Sequence, residues 1–404
     1  MNNFKKSLLA LGVMCTSLSA ANAQEEVELR NKKDGDYKFQ VVTNIEAGKV
    51  SNQGRSGTCW SFSSLSFFES EMERMGKDKI NLSEMFVVRH TYPDKADRFV
   101  RWHGHINFGA GGAFHDVAYV IKNYGIVPEF AYSGLQNGAT MHNHGEMDEV
   151  LMGIVTAVQA RKRAKPTQSW KPAFEGVMDA YLGDYPSEFE YNGKKYTPKT
   201  FADEVVGLNA DDYVEIGSFT HKPYYEEFEL EVPDNWLHHS IQNLPLDEMI
   251  EVIDYALMNG YSIAWGADVS EKGFSFRDGL AIVPTDEIEV MAKGKDNQHF
   301  SDAGAQKYSV AFQEPVKEKV ITPELRQKAY DNYETTDDHG MQLTGIVKDQ
   351  NGTKYYIVKN SWGEANDCDG YFYASEAYVR YKTIDFMVHK DGIPKHLRKK
   401  MNIK

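Results

Sequence analysis

Asn52-Gln53-Gly54-Arg55-Ser56-Gly57-Thr58-Cys59-Trp60-Ser61-Phe62 is the stretch on which the reading of this chain turns. A turn broken by glycines runs straight into Leu65, Phe68, Met72 and Met75, the spacing of one face of an amphipathic helix. Gly76 is a stop signal for that helix. Cys59 therefore falls at the helix N-terminus, where unpaired backbone N–H groups and the helix dipole favour a thiolate. A thiolate is the form of cysteine that attacks a carbonyl carbon. A lone cysteine is more often a small buried core residue, and the surroundings decide against that here. Gln53 lies across the glycine turn, where its side-chain amide and the backbone N–H of Cys59 would make a two-donor oxyanion hole.

A thiol nucleophile needs a base that later protonates the leaving amine. Asp337-Asp338-His339-Gly340-Met341-Gln342-Leu343-Thr344-Gly345-Ile346-Val347 reads as a strand entered from a polar loop. Asn351-Gly352 after it is a strong hairpin signal, and Thr353 to Lys359 is the return strand. Folding the hairpin brings Asn360-Ser361-Trp362-Gly363 back beside His339. Asn360 would then orient the imidazole and set its tautomer, as a third triad member does. Trp362 would shield that hydrogen bond from water.

Around these motifs the composition is that of a globular protein with a sizeable core. The chain has 404 residues, 41% hydrophobic and 26% charged, enough for two or three domains. The 45 Lys plus Arg against 59 Asp plus Glu, a net charge of −14, exclude the basic surface of a nucleic-acid binder. Three cysteines are too few for a disulfide framework. Lys5-Lys6, the apolar run Leu8 to Leu18 and Ala21-Asn22-Ala23 read as a cleaved signal peptide, 1–23. Cys15 follows Met14 where a lipid-attachment site wants a small residue, so simple export to a periplasm or the outside is expected. The chain left before Cys59 is then too short for an inhibitory pro-domain, so activity without proteolytic trimming is expected. No later run is long and apolar enough for membrane insertion. His103-Gly104-His105, His142-Asn143-His144 and His238-His239 lack metal-site spacing and read as loop histidines. No metal or cofactor is expected, and neither a phosphate loop nor a serine elbow is present. Cys368, in a polar loop, reads as a free or reactive surface thiol.

With Gln-Gly-x-x-x-x-Cys-Trp-x-Phe at its head and Asn-Ser-Trp-Gly near its end, the chain resembles the papain-like cysteine peptidases. His339 lies nearly twice as far downstream as the roughly 130–150 residues usual in that family, and Ser56 stands where a disulfide-forming Cys is usual. Both departures match the bleomycin hydrolase and aminopeptidase C type. The resemblance implies an α+β, two-lobe papain-like fold: a helical lobe presenting Cys59, an antiparallel β-barrel-like lobe presenting His339 and Asn360, and a large, mostly helical insertion. The implied division is 24–140 for the helical lobe, 141–245 for the insertion and 246–404 for the β lobe. Helices are expected from Val150 to Lys165 and from Leu246 to Asn259, with Asp247 and Glu248 in the first turn of the second. Gly111 and Gly112 resemble the family's substrate ridge, Ser262 to Val269 the strand that opens the β lobe, and Glu376 to Pro394 its closing helix and strand.

The implied function is hydrolysis of peptide bonds through a thioester: Cys59 attacks, Gln53 helps hold the oxyanion, His339 moves the proton, and Asn360 orients it. Gly111, Gly112 and Trp362 would contact the peptide substrate. A homo-hexamer is implied by the resemblance alone. In this type the C-terminal tail enters the cleft and its carboxylate holds the substrate's amine. Here the chain instead runs Ile393-Pro394-Lys395-His396-Leu397-Arg398-Lys399-Lys400-Met401-Asn402-Ile403-Lys404, a basic tail expected to fray in solvent. A more open cleft and endopeptidase activity are therefore expected. Two other readings stay open: a non-catalytic peptide-binding protein on this fold, and an amide hydrolase of non-peptide substrates.

Overall fold

The computed structural model describes residues 29–160, 165–293 and 306–404; the expected signal segment, 1–23, lies outside them. The strand His339–Lys348 organises the molecule. Nine of its ten residues are buried, the pattern of a strand covered on both faces. Lys354–Lys359 pairs with it antiparallel on one side, through the hairpin expected at Asn351-Gly352. On the other side, Ile263–Ala267 pairs with its first half and Gln40–Asn44 with its second. From this centre the sheet extends through Tyr371–Ser375 to two short strands, Leu280–Ala281 and Phe274–Ser275. In the other direction it runs through Thr383–His389, Tyr213–Gly217 and Ser240–Asn243 to Glu227–Glu229, making eleven strands. The last three strands come from the 141–245 stretch, whose two long helices, Gly145–Gln159 and Trp170–Leu182, lie in its first part.

The helices build a second core. Leu65, Phe68 and Met72 of the helix Cys59–Arg74 are buried against Phe86 of Glu84–Arg101, and Leu151 and Phe174 of the later helices join them. Met75 lies just past the helix and is exposed. The sheet core gathers Trp265, Met341, Val358, Phe372 and Phe386 with the helix Leu246–Met258, whose first turn carries Asp247 and Glu248 as expected. Helices on one side and an antiparallel-dominated sheet on the other make the two-lobe α+β fold expected from the sequence.

The lobes meet where the helix Cys59–Arg74 lies on the strand His339–Lys348. A Cβ on Gly340 would sit 2.5 Å from Ser63 Oγ, so only glycine lets the helix come this close. The seam beyond it is polar. Ser66 Oγ donates to Gln342 Oε1 at 2.7 Å, Gln342 Nε2 donates to Ser70 Oγ at 2.8 Å, and Lys359 Nζ donates to Ser66 Oγ at 2.8 Å. Buried polar groups satisfied this fully fix one register between helix and strand. That register sets the helix opened by Cys59 against His339.

The basic tail does not fray. Lys395–Lys400 is a short helix, with Leu397 and Met401 buried. Arg398 pairs with Asp391 at 2.8 Å and Lys400 with Glu248 at 2.7 Å. Two apolar side chains on an otherwise basic segment supply the docking energy that its charge pattern conceals. Among the described residues no helix is long and apolar enough to cross a membrane.

Candidate active site

Cys59 is the first residue of its helix and is almost fully buried. The turn before it is tight: Gly54 has φ +62° and a Cβ there would lie 2.5 Å from His142 O. Ser56 Oγ donates to Gln53 O at 2.9 Å and contacts Thr58 Oγ1 at 2.7 Å, so hydrogen bonds hold the turn at the position where a disulfide was absent. Trp60 anchors the glycine ridge. Its indole N–H donates to Ala110 O at 2.9 Å, and a Cβ on Gly112 would meet its ring at 2.8 Å. Burial pushes the Cys59 thiol up to about 12, against the Gly340 and Trp60 N–H groups, and the Asp337 and Asp234 charges add to the rise. The helix N-terminus therefore does not by itself hold a thiolate, as the sequence reading expected; desolvation outweighs it.

His339 opens the central strand, facing Ala267 across the pair. Its Nε2 lies 2.7 Å from Asn360 Oδ1. The same oxygen accepts the Ser361 backbone N–H at 2.8 Å. An oxygen receiving two donors fixes the amide's orientation, puts the ring proton on Nε2, and leaves Nδ1 of the neutral ring with its lone pair. Burial holds His339 down at about 4, with the Asn360 bond opposing. The Trp362 ring lies 4.7 Å from the imidazole and also meets Phe276 at 5.2 Å and Phe274 at 5.9 Å edge-on. Gln53 joins the two segments: Ser361 Oγ donates to its Oε1 at 2.7 Å, and its Nε2 donates to Ser56 O at 2.8 Å. That leaves one amide N–H uncommitted.

Cys59, His339, Gly340, Gly111 and Gly112 line one cavity of about 230 Å³. Gln53, Asn360 and Trp362 are not among the residues that line it: Asn360 is hydrogen-bonded to His339, Trp362 packs on His339, and Gln53 is hydrogen-bonded to Ser361, beside Asn360. The sequence reading missed four carboxylates that share the wall: Asp234, Asp337, Asp338 and Asp385. Asp337-Asp338 was visible beside His339, while Asp234 and Asp385 had no local signal because the fold alone brings them here. Leu230, Val232 and Asp234 line the same cavity. A larger cavity, about 1380 Å³, borders the site through Asp338 and contains no cysteine among its lining residues.

Two other groups were weighed. His239 lies with His115 and Glu215 in an arrangement that could hold a metal ion. His115 Nδ1 is already 2.9 Å from Glu215 Oε2 and its ring stacks on His239 at 4.3 Å, the geometry of a buried ion pair. Cys368 is a free thiol, half-buried, and its Sγ donates to Asn31 O at 2.9 Å. Burial pushes it up to about 12, helped by Asp367 and Asp369; it is the free thiol expected, half-buried rather than on the surface.

Several known proteins are similar to this chain. Aminopeptidase C of Streptococcus thermophilus is 24% identical, covering 91% of this chain and 86% of its own length. Aminopeptidase C of Lactobacillus helveticus is 26% identical over 92% and 85%. The crystal structure of PepW from Lactobacillus rhamnosis HN001, 20% identical, superposes with a TM-score of 0.66 over 90% of this chain and 84% of that one. Its likeness is one of fold. Residues 2–169 and 319–404, which contain both the nucleophile's helix and the His339 strand, match one family description, and on that match over more than half its length the chain belongs to the Peptidase C1-like family.

Proposed function

We propose that this chain is a cysteine peptidase of the aminopeptidase C type, acting through a thioester on Cys59. The observation that carries the reading is that a cysteine at a helix N-terminus and a histidine held at 2.7 Å by an asparagine line one cavity. With the thiol high and the imidazole low, the resting pair is neutral. Nucleophile formation is then a proton transfer from Cys59 Sγ to His339, coupled to attack on the carbonyl carbon. The oxyanion faces the Cys59 backbone N–H and the remaining Gln53 amide N–H. The C–N bond breaks as His339 returns the proton to the leaving amine. Water, deprotonated by the same imidazole, hydrolyses the thioester and restores the thiol. Asn360 keeps the ring in the tautomer that this exchange needs, and Trp362 shields their bond.

The test is intact-mass analysis after an epoxysuccinyl thiol-peptidase reagent, with Cys59→Ala alongside and turnover of fluorogenic peptides followed in the same samples. One adduct per chain, absent from Cys59→Ala, with peptide turnover is the expected result. No adduct and no turnover under reducing conditions would remove the reading. The proposal extends to export, supported by the residues 1–23 pattern and tested by sequencing the N-terminus of the secreted protein for a start at Gln24.

A further inference from the structure

The charged groups on the wall of the Cys59 cavity are all acidic. Asp234, Asp337, Asp338 and Asp385 line it, and no Lys or Arg does. The nearest cation below the ridge is Lys95, buried and occupied by the backbone oxygens of Gly109 and Gly111. With no Lys or Arg on the wall, a cation entering this cavity meets carboxylates alone, and a substrate amine is such a cation.

One of these carboxylates lies over the glycine ridge. Asp234 is half-buried and sits on the loop between the strands Glu227–Glu229 and Ser240–Asn243. The loop is pinned by Trp236, whose indole N–H donates to Asp116 Oδ2 at 2.7 Å, and by Asn235 Nδ2, which donates to Leu230 O at 2.9 Å. Asn107 Nδ2 donates to Asp234 Oδ1 at 3.0 Å. The other oxygen lies over Gly111, where a Cβ would be 1.8 Å from Oδ2. Gly111 is thus a glycine because a carboxylate has to pass over it. We propose that Asp234 receives the α-ammonium group of a substrate with a free N-terminus, and so makes the cleft select peptide ends over peptide interiors.

This inference rests on the peptidase reading above and adds the group that restricts it. Leu230 and Val232 line the cavity together with Asp234. An ammonium on a carboxylate is a charge-assisted bond, and a site built for one rejects the analogue that cannot make it.

The experiment compares alanyl and N-acetylalanyl coumarinylamides, and a matched pair of longer free and acetylated peptides, on wild type, Asp234→Asn and Asp234→Glu. Thermal melting and epoxysuccinyl labelling of Cys59 are measured in the same samples. Wild type should prefer the free amine by at least about tenfold in kcat/KM. Asp234→Asn should lose most of that preference through KM, leave the acetylated substrates within about twofold, and keep full labelling, while Asp234→Glu recovers part of the loss. Equal losses on free and acetylated substrates would make Asp234 merely structural and overturn the proposal. So would a wild type indifferent to acetylation, a result that needs no variant to fold. Labelling and turnover with no preference would overturn the anchor alone; absence of both would overturn the peptidase reading with it.

Discussion

Cys59 and Cys368 carry thiols that burial raises to about the same value, about 12, and only their neighbours distinguish them. Cys368 donates to Asn31 O and is flanked by Asp367 and Asp369, so its surroundings stabilise the protonated form. Cys59 faces the backbone N–H of Gly340 and Trp60 and shares a cavity with His339, whose free-base form burial favours. A depressed resting thiol pKa is therefore not what marks the nucleophile. The mark is a base with a fixed tautomer at the same wall, ready to take the proton when substrate arrives.

The widest separation between the two regions should come from removing each thiol in turn. Cys59→Ala should lower kcat/KM by about 10⁴ or more, and Cys368→Ala should leave it within about twofold. Comparable losses would erase the comparison. His339→Ala should cost between about 10² and 10⁴ in kcat and slow Cys59 alkylation by iodoacetamide at neutral pH, with Cys368 alkylation unchanged. Gln53→Ala, checked for folding by its melting temperature, should lower kcat by about 10²–10³ with little change in KM, as loss of an oxyanion donor does. An effect confined to KM would instead place Gln53 in substrate binding.

The pH profile tests the base directly. Above about 4 His339 is neutral and can accept the Cys59 proton; below it the imidazolium cannot, so kcat/KM should fall on the acid side through that value. An acid limb near 6.5 would mean that burial does not act on His339 as the geometry says. The smallest effect concerns burial alone, with no base involved. Glu129 is raised to about 9 from 4.5, first by burial and then by the neighbouring Glu84. Such a group contributes stability below pH 4.5 that is lost as pH rises through about 9. Glu129→Gln should therefore lose less melting temperature than wild type between pH 5 and pH 9, by about 2 °C. Identical pH slopes would remove the burial argument from that cluster.

The legible parts of the site are those that short stretches encode. The glycine turn into Cys59, and the Asn351-Gly352 hairpin that returns Asn360 to His339, follow from local sterics and periodicity, so the sequence declares them without the fold. The seam between helix and strand is less legible. Gly340 looks like an ordinary strand glycine until Ser63 Oγ is found 2.5 Å from where its Cβ would be. The strands at Tyr213–Gly217, Glu227–Glu229 and Ser240–Asn243 were missed because each is short, and the first finds its antiparallel partner far away in Thr383–His389.

By itself, then, the sequence determined the helix opened by Cys59 and the hairpin beneath the imidazole, since each depends on residues within a turn or two of one another, while the two-lobe fold class came through the resemblance those motifs carry. The tertiary structure alone decided the charge of the cleft. Asp385 reaches the wall because Thr383–His389 pairs with Ile263–Ala267, bringing it beside Gly266, and Asp234 because Trp236 fastens its loop to Asp116. It decided the resting charge of Cys59 as well. Desolvation belongs to whatever surrounds a side chain in space, and no residue's neighbours in the chain record it.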